Sequence, residues 1–313
     1  MIAAIGAFDG FHLGHARLFE KARTRALPQG TDWGVLTFHP HPQSLFAGTV
    51  FRYLFTQQER EGLARYRRIP RLETLHFTRA LADMKPSEFL DWIGQIYKIT
   101  GLVVGENFRF GRGRSGDSRT LLQEGSARGW TVDILPPLRV GNETVSSTLI
   151  RQKISLGETR SAGTLLGHPF FVSGTVIKGD QRGRRLGFPT ANLAIPPEKL
   201  LPQRGVYAAG ALVENQWCPA ALNIGFNPTF AGIRALRVEA HLIGFEGNLY
   251  GSHLTVLFLE RLRGELQFPG VQELVRRMHE DISEAVASWN HYACGHEAEL
   301  QWLADCLSAQ RRD

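Results

Sequence analysis

The sequence predicts two domains of different class: a doubly wound α/β domain on a parallel sheet, then a small antiparallel β-barrel with C-terminal helices. Three observations carry this reading. The first half alternates short β-branched runs with amphipathic stretches. After about Gly167 the pattern changes to short strands punctuated by Gly and Pro, with hardly any helical periodicity until Gly270. Finally, 313 residues are too many for one typical core. The expected domains are 1–167 and 168–287, divided near His168-Pro169, with a helical extension over 288–313.

In the first half, strands are expected near Ile2–Ala7, Trp33–Phe38, Leu72–His76, Leu102–Gly105 and Thr131–Leu135. Helices are expected between them, near Gly14–Ala26, Gln57–Tyr66, Pro86–Tyr97 and Ser118–Arg128, with Pro86 suited to a first helical turn. Right-handed crossovers would gather the loops after the strands at one sheet edge, where ligands of such folds bind. Barrel walls are expected near Phe171–Ile177, Gly205–Val213, Arg237–Leu242 and Leu254–Leu259, and packing helices within Ser283–Asp313.

Composition narrows the functional classes. Hydrophobic residues at 43% and charged residues at 21% are ordinary for a globular protein. No apolar run reaches the roughly 20 residues of a membrane span, and Met1–Phe8 is cut by Asp9 with no basic region before it, so neither a membrane partner nor a signal peptide is expected. Cys218, Cys294 and Cys306 lack CxxC spacing and suit reduced thiols in the cytoplasm. The net charge of +6 suits an anionic partner, yet Arg65, Arg67, Arg68 and Arg71 form no basic block interleaved with aromatics. A solvated surface is therefore expected rather than a nucleic-acid face, on a monomer or weak homo-oligomer.

Three segments of the first half carry chemistry. Gly6-Ala7-Phe8-Asp9-Gly10-Phe11-His12-Leu13-Gly14-His15 joins the first strand to the first helix, where backbone N–H groups offer partial positive charge to phosphate. His12 and His15, three apart, would face one phosphate together; two buried structural histidines would satisfy the same spacing. Val145-Ser146-Ser147-Thr148-Leu149-Ile150-Arg151 precedes a helix; its hydroxyls can cap that helix or bind phosphate, and Arg151 can clamp it. Between them, Gly105-Glu106-Asn107-Phe108-Arg109-Phe110-Gly111-Arg112 forms a Gly-bounded loop at the same edge, able to hold a ring.

In this order the segments resemble the adenylyltransferase module of the bacterial bifunctional riboflavin kinase/FAD synthetase family, within the HxGH nucleotidyltransferase superfamily. The resemblance implies that His12 and His15 contact ATP phosphates within a loop including Gly6, Phe8, Asp9 and Gly14. It places Asn107 in the flavin and nucleotide site, and Ser147, Thr148 and Arg151 in a phosphate-binding signature. Phe38-His39-Pro40-His41-Pro42 is similar to the family's loop after the second strand, with positioning roles for His39 and His41. Leu149 stands where the family often has Arg.

The most specific stretch is Lys178-Gly179-Asp180-Gln181-Arg182-Gly183-Arg184-Arg185-Leu186-Gly187-Phe188-Pro189-Thr190-Ala191-Asn192. Its glycines and arginines, before a rigid Pro-Thr turn, make a loop able to wrap phosphates, and the Thr190 hydroxyl and Asn192 amide are hard oxygen ligands of the kind Mg²⁺ uses. A Gly-rich hairpin would explain the same residues. The stretch resembles the riboflavin kinase signature, and Gly205-Val206-Tyr207-Ala208, Asn223-Ile224-Gly225, Pro228-Thr229-Phe230, Val238-Glu239-Ala240-His241-Leu242, Leu249-Tyr250-Gly251 and Leu262-Arg263 follow in family order.

That resemblance makes Glu239 the candidate base for the riboflavin 5′-hydroxyl and Arg263 a flavin-site residue. It has Thr190 and Asn192 organise Mg-ATP, and Gly179, Arg184, Gly187 and Pro189 contact its phosphates. It implies Mg²⁺ as cofactor, and ATP, riboflavin, FMN and FAD as partners, through phosphorylation of riboflavin and adenylylation of FMN with release of pyrophosphate. Asn227 departs from a common Arg, and the tail beyond Ala287 is unmatched; His291, Cys294 and His296 there are expected to pack rather than bind metal. Competing readings are a chain with only one active module, and a flavin-sensing or RNA-binding regulator.

Overall fold

A computed structural model describes residues 1–45, 51–179, 181–227 and 235–308. Of the sequence matches above, Asp180 and Pro228-Thr229-Phe230 lie outside the described residues. The chain divides into two compact units, Met1–Tyr53 with Arg60–Ser147, and Leu54–Glu59 with Thr148–Asp313. Helices α6 (Ser147–Ser155) and α7 (Thr159–Leu166), the second unforeseen in the sequence, follow the first unit's last strands, and α7 with nearly all of α6 is grouped with the barrel in the second unit.

The first unit runs β1 (Ile2–Ile5), α1 (Leu13–Ala26), β2 (Trp33–His39), α2 (Gln57–Tyr66), β3 (Leu72–His76), α3 (Arg79–Ala82), α4 (Pro86–Tyr97), β4 (Gly101–Gly105), α5 (Ser118–Ala127) and β5 (Thr131–Leu135). A hairpin of β6 (Arg139–Val140) and β7 (Glu143–Thr144) follows. The five long strands form one parallel sheet in the order β3-β2-β1-β4-β5, with Ala3 of β1 opposite Gly34 and Leu102. β1 is wholly buried, as a central parallel strand covered on both faces must be. Met1, Ile5, Leu36 and Val104 pack with Phe89, Leu90 and Ile93 of α4 in one core. α4 starts where Pro86 foretold, and the Glu88 carboxylate accepts the Lys85 N–H at 2.8 Å. The connections reverse direction between β1 and β4, opening a crevice at the carboxyl ends of those strands.

The second unit continues from α6 and α7 with β8 (Phe170–Ile177), α8 (Arg182–Arg185), β9 (Ala191–Ala194), β10 (Gly205–Val213), β11 (Gln216–Asn227), β12 (Ala235–Leu242), β13 (His253–Arg263), α9 (Val271–Ala293) and α10 (Glu297–Ser308). Six antiparallel strands close a barrel in the order β10-β11-β12-β9-β8-β13. β10, the longest unbroken apolar run, is buried throughout, and α9 lays Trp289 against its Gly210, where a β-carbon would strike the indole. α9 runs unbroken through position 287, and the chain turns between Ala293 and Glu297.

Inside this unit Lys199 is fully buried. Its ammonium pairs with Glu59 at 2.7 Å, donates to the Leu54 carbonyl at 2.6 Å and lies 4.3 Å from the Phe55 ring centre. The second Glu59 oxygen accepts the Ser173 N–H at 2.9 Å. Paired, hydrogen-bonded charges of this kind are the form in which a buried lysine is tolerated.

Candidate active sites

His12 is the N-cap of α1, and its Nδ1 accepts the His15 N–H at 3.2 Å. An accepting Nδ1 leaves the proton of the neutral ring on Nε2. The two imidazoles stack with centroids 3.5 Å apart, and Phe8 meets His15 edge-on at 4.9 Å. Burial, the neighbouring His12 and Arg67 hold the His15 imidazole well below its usual value, so it is neutral at pH 7. Its Nδ1 is buried without a hydrogen-bond partner among the described residues. Gly14 presses on the pair: a β-carbon there would stand 3.1 Å from the His12 ring. Gly6 lies at the end of β1, bonded to Leu36, and Asp9 is buried, its charge opposing the downward pull of burial on the Arg60 guanidinium.

At the same edge, a cavity of about 770 Å³ opens among Phe38, Phe51, Phe77, Phe108, Arg109 and Phe110. Phe108 and Phe110 stack at 5.5 Å, a platform of the kind a planar ring uses. The loop after β4 therefore does line a cavity, through Phe108 to Gly111; Asn107 itself sits exposed in the turn and is not among the lining residues. His39 ends β2 with Nδ1 3.4 Å from Arg60, and His41 stacks on Phe51 at 4.2 Å. Ser147 opens α6, with Thr148 exposed and Arg151 half-buried along it.

In the barrel, pairing between strands assembles the second site. Glu239 of β12 stands opposite Asn192 of β9 on one side and Asn223 of β11 on the other. Directly opposed residues of antiparallel strands hold their β-carbons about 5 Å apart, so a carboxylate lies between two amides. Asn192 Oδ1 is buried with no partner among the described residues, a hard oxygen lacking a donor or cation. Gly179 covers that amide so closely that a β-carbon would overlap it.

Three cavities meet at Thr190. One of about 190 Å³ is polar and bounded by Asn192, Asn223, Arg237, Glu239 and Glu265. The second, of about 380 Å³, is more apolar and reaches Val206, Leu222, Leu266, Phe268 and Met278. A third, about 560 Å³, runs past Arg184 and Pro189 to Tyr250. Gly187, at φ +89°, ends the turn that carries Phe188 to Thr190. Arg263 lines the second cavity but donates to both carboxylate oxygens of Asp281, from Nη2 at 2.6 Å and from Nε at 2.9 Å, tying β13 to α9.

The family model for FAD synthetase matches residues 1–149, and that for riboflavin kinase matches residues 166–289. A bifunctional riboflavin kinase/FMN adenylyltransferase of Escherichia coli K12 is 35% identical over 90% of both chains. The protein of the same name from Listeria monocytogenes is 31% identical over 91% of both. The chain belongs to the bifunctional riboflavin kinase/FMN adenylyltransferase family. A Streptococcus pneumoniae crystal structure, named as a macrolide-efflux protein, shares the architecture at TM-score 0.83 and 30% identity, over 90% of this chain and 91% of that one. Among the described residues no helix is long and apolar enough to cross a membrane.

Sequence reasoning on this family member missed Asn223, Arg237 and Glu265 as cavity residues, and Phe38, Phe51 and Phe77 in the first unit. Asn223 lay within a recognised motif, but nothing short of the strand register marks it as the partner of Glu239. In the tail, His296 Nδ1 lies 2.7 Å from the Tyr292 carbonyl and its ring stacks on Tyr292 at 4.5 Å.

Proposed function

We propose that the barrel transfers the γ-phosphoryl group of ATP to riboflavin, giving FMN and ADP, and that the crevice of the parallel sheet transfers AMP from ATP to FMN, giving FAD and pyrophosphate. The observation that carries this reading is the polar cavity where Glu239 and Asn192, opposed across two strands, meet Thr190 between a ring-sized apolar cavity and a longer nucleotide-sized one.

In the kinase step the isoalloxazine ring occupies the apolar cavity and the ribityl end reaches the polar one. Glu239 accepts the proton of the 5′-hydroxyl as oxygen attacks phosphorus, while Asn223 and Asn192 fix the carboxylate in place. Gly179, Arg184, Gly187 and Pro189 shape the loop along the nucleotide phosphates. Thr190 Oγ1 and the unpartnered Asn192 Oδ1 suit Mg²⁺, which neutralises phosphate charge when bound. In the adenylyl step His12 and the neutral His15, stacked at a helix N-terminus, stabilise charge on the α-phosphate with the Gly6–Gly14 loop. The Phe108–Phe110 platform takes the flavin ring beside Asn107, and Ser147, Thr148 and Arg151 hold phosphate oxygens.

Purified protein given riboflavin and Mg-ATP should accumulate FMN and then FAD on separation of the flavins; formation of neither would overturn the assignment. Glu239→Ala should lower FMN formation by about 10²- to 10⁴-fold and spare FAD formation from supplied FMN. His15→Ala should do the reverse by about 10²- to 10³-fold. Chelation of the metal should stop both steps.

A further inference from the structure

The kinase cavity holds a cation to which no role has yet been given. Arg237 lies two residues before Glu239 on β12, and a strand turns alternate side chains to the same face. Val238 and Ala240 point to the barrel core at 0% exposure, so Arg237 and Glu239 both point away from it. Both line the polar cavity, with Thr190 and Asn192, and Arg237 is the one cationic side chain among the described residues that do.

The charges around it are engaged elsewhere. Glu265, the second acid of this cavity, is bound by Arg204 at 3.0 Å, and Arg263 of the adjoining cavity is bound by Asp281 at 2.6 Å. The Arg237 guanidinium forms no ion pair or hydrogen bond among the described residues. A half-buried arginine with a planar fork of donors and no partner, beside a carboxylate base, matches two oxygens of a phosphoryl group.

We propose that Arg237 is a catalytic residue of riboflavin phosphorylation, its guanidinium binding the phosphoryl group in transit; this rests on the kinase assignment above. The 5′-oxygen forms a bond to the γ-phosphorus as its proton passes to Glu239, and the bond from phosphorus to the bridging oxygen breaks, its electron pair leaving with ADP. Arg237 donates to two non-bridging oxygens throughout, with contacts that tighten as negative charge spreads over them in the transition state.

The test compares wild type, Arg237→Ala and Arg237→Lys in FMN formation, with FAD formation from FMN and the urea midpoint of unfolding as the measures of intact fold in the two units. For Arg237→Ala we expect kcat to fall about 10²- to 10³-fold with little change in the riboflavin KM, normal FAD formation, and partial recovery on adding millimolar guanidinium. A merely structural arginine would not be replaced by the free ion. Unchanged kcat in Arg237→Ala, or a loss that guanidinium leaves untouched, overturns the proposal. If Arg237→Ala loses both activities, Arg237→Lys decides: low kcat with normal FAD formation supports the proposal, and wild-type FMN formation overturns it. Wild type that makes no FMN overturns the kinase assignment itself, a distinguishable result.

Discussion

Two imidazoles stacked 3.5 Å apart at a helix N-terminus are disfavoured as a doubly protonated pair, because their charges would repel each other and the helix end. His15 accordingly titrates well below 6.5, through burial first and then His12 and Arg67. The sign follows from proton counting: the unfolded chain binds a proton on His15 near 6.5, and the folded chain binds it only at lower pH. Stability from this group is therefore full above that value and declines as pH falls through it. For activity, the kcat/KM profile of FAD formation should show its acid limb below the ordinary imidazole range, and a limb centred near 6.5 would show that His15 is not the titrating group.

At the scale of elements, register does what spacing along the chain cannot. β9, β11 and β12 bring Asn192, Asn223 and Glu239 into one row, although 31 and 16 positions separate them. The segment Leu54–Glu59 is a comparable case: it is remote in sequence from the barrel, yet Glu59 meets Lys199 and Ser173 there. Removing one partner of a buried pair strands the other charge, so Lys199→Ala should cost about 3 to 5 kcal/mol, read as a lowered urea midpoint of the unfolding transition. A midpoint unchanged from wild type would show that the pair carries no stability.

Across the whole molecule, each unit carries its own cavities, the stacked histidines and aromatic platform in one and the three joined cavities in the other. Sites lined in this way should work when borne by different molecules. An equal mixture of Glu239→Ala and His15→Ala proteins should convert riboflavin to FAD although neither does so alone, with FMN passing through solvent. Failure of the mixture, with each variant retaining its remaining activity, would show that FMN is not released.

What the sequence by itself determined was periodicity and local chemistry. Leu72–His76, Gln57–Tyr66, Pro86–Tyr97, Thr131–Leu135 and Gly205–Val213 have the bounds expected of them, because apolar spacing and Pro or Gly punctuation are properties of neighbouring residues. The histidine loop and the Pro189-Thr190 turn were legible for the same reason. β9 and β11 were not, since a four-residue strand and one containing Pro219 carry weak local signals and are fixed by their neighbours in the barrel. Only the tertiary structure decided that Asn223, Arg237 and Glu265 share a cavity with Glu239, that Arg263 is bound to Asp281, and that Leu54–Glu59 belongs to the barrel unit. The physical reason is that cross-strand pairing and burial join residues far apart in the chain, and no pattern of neighbours encodes which strand lies beside which.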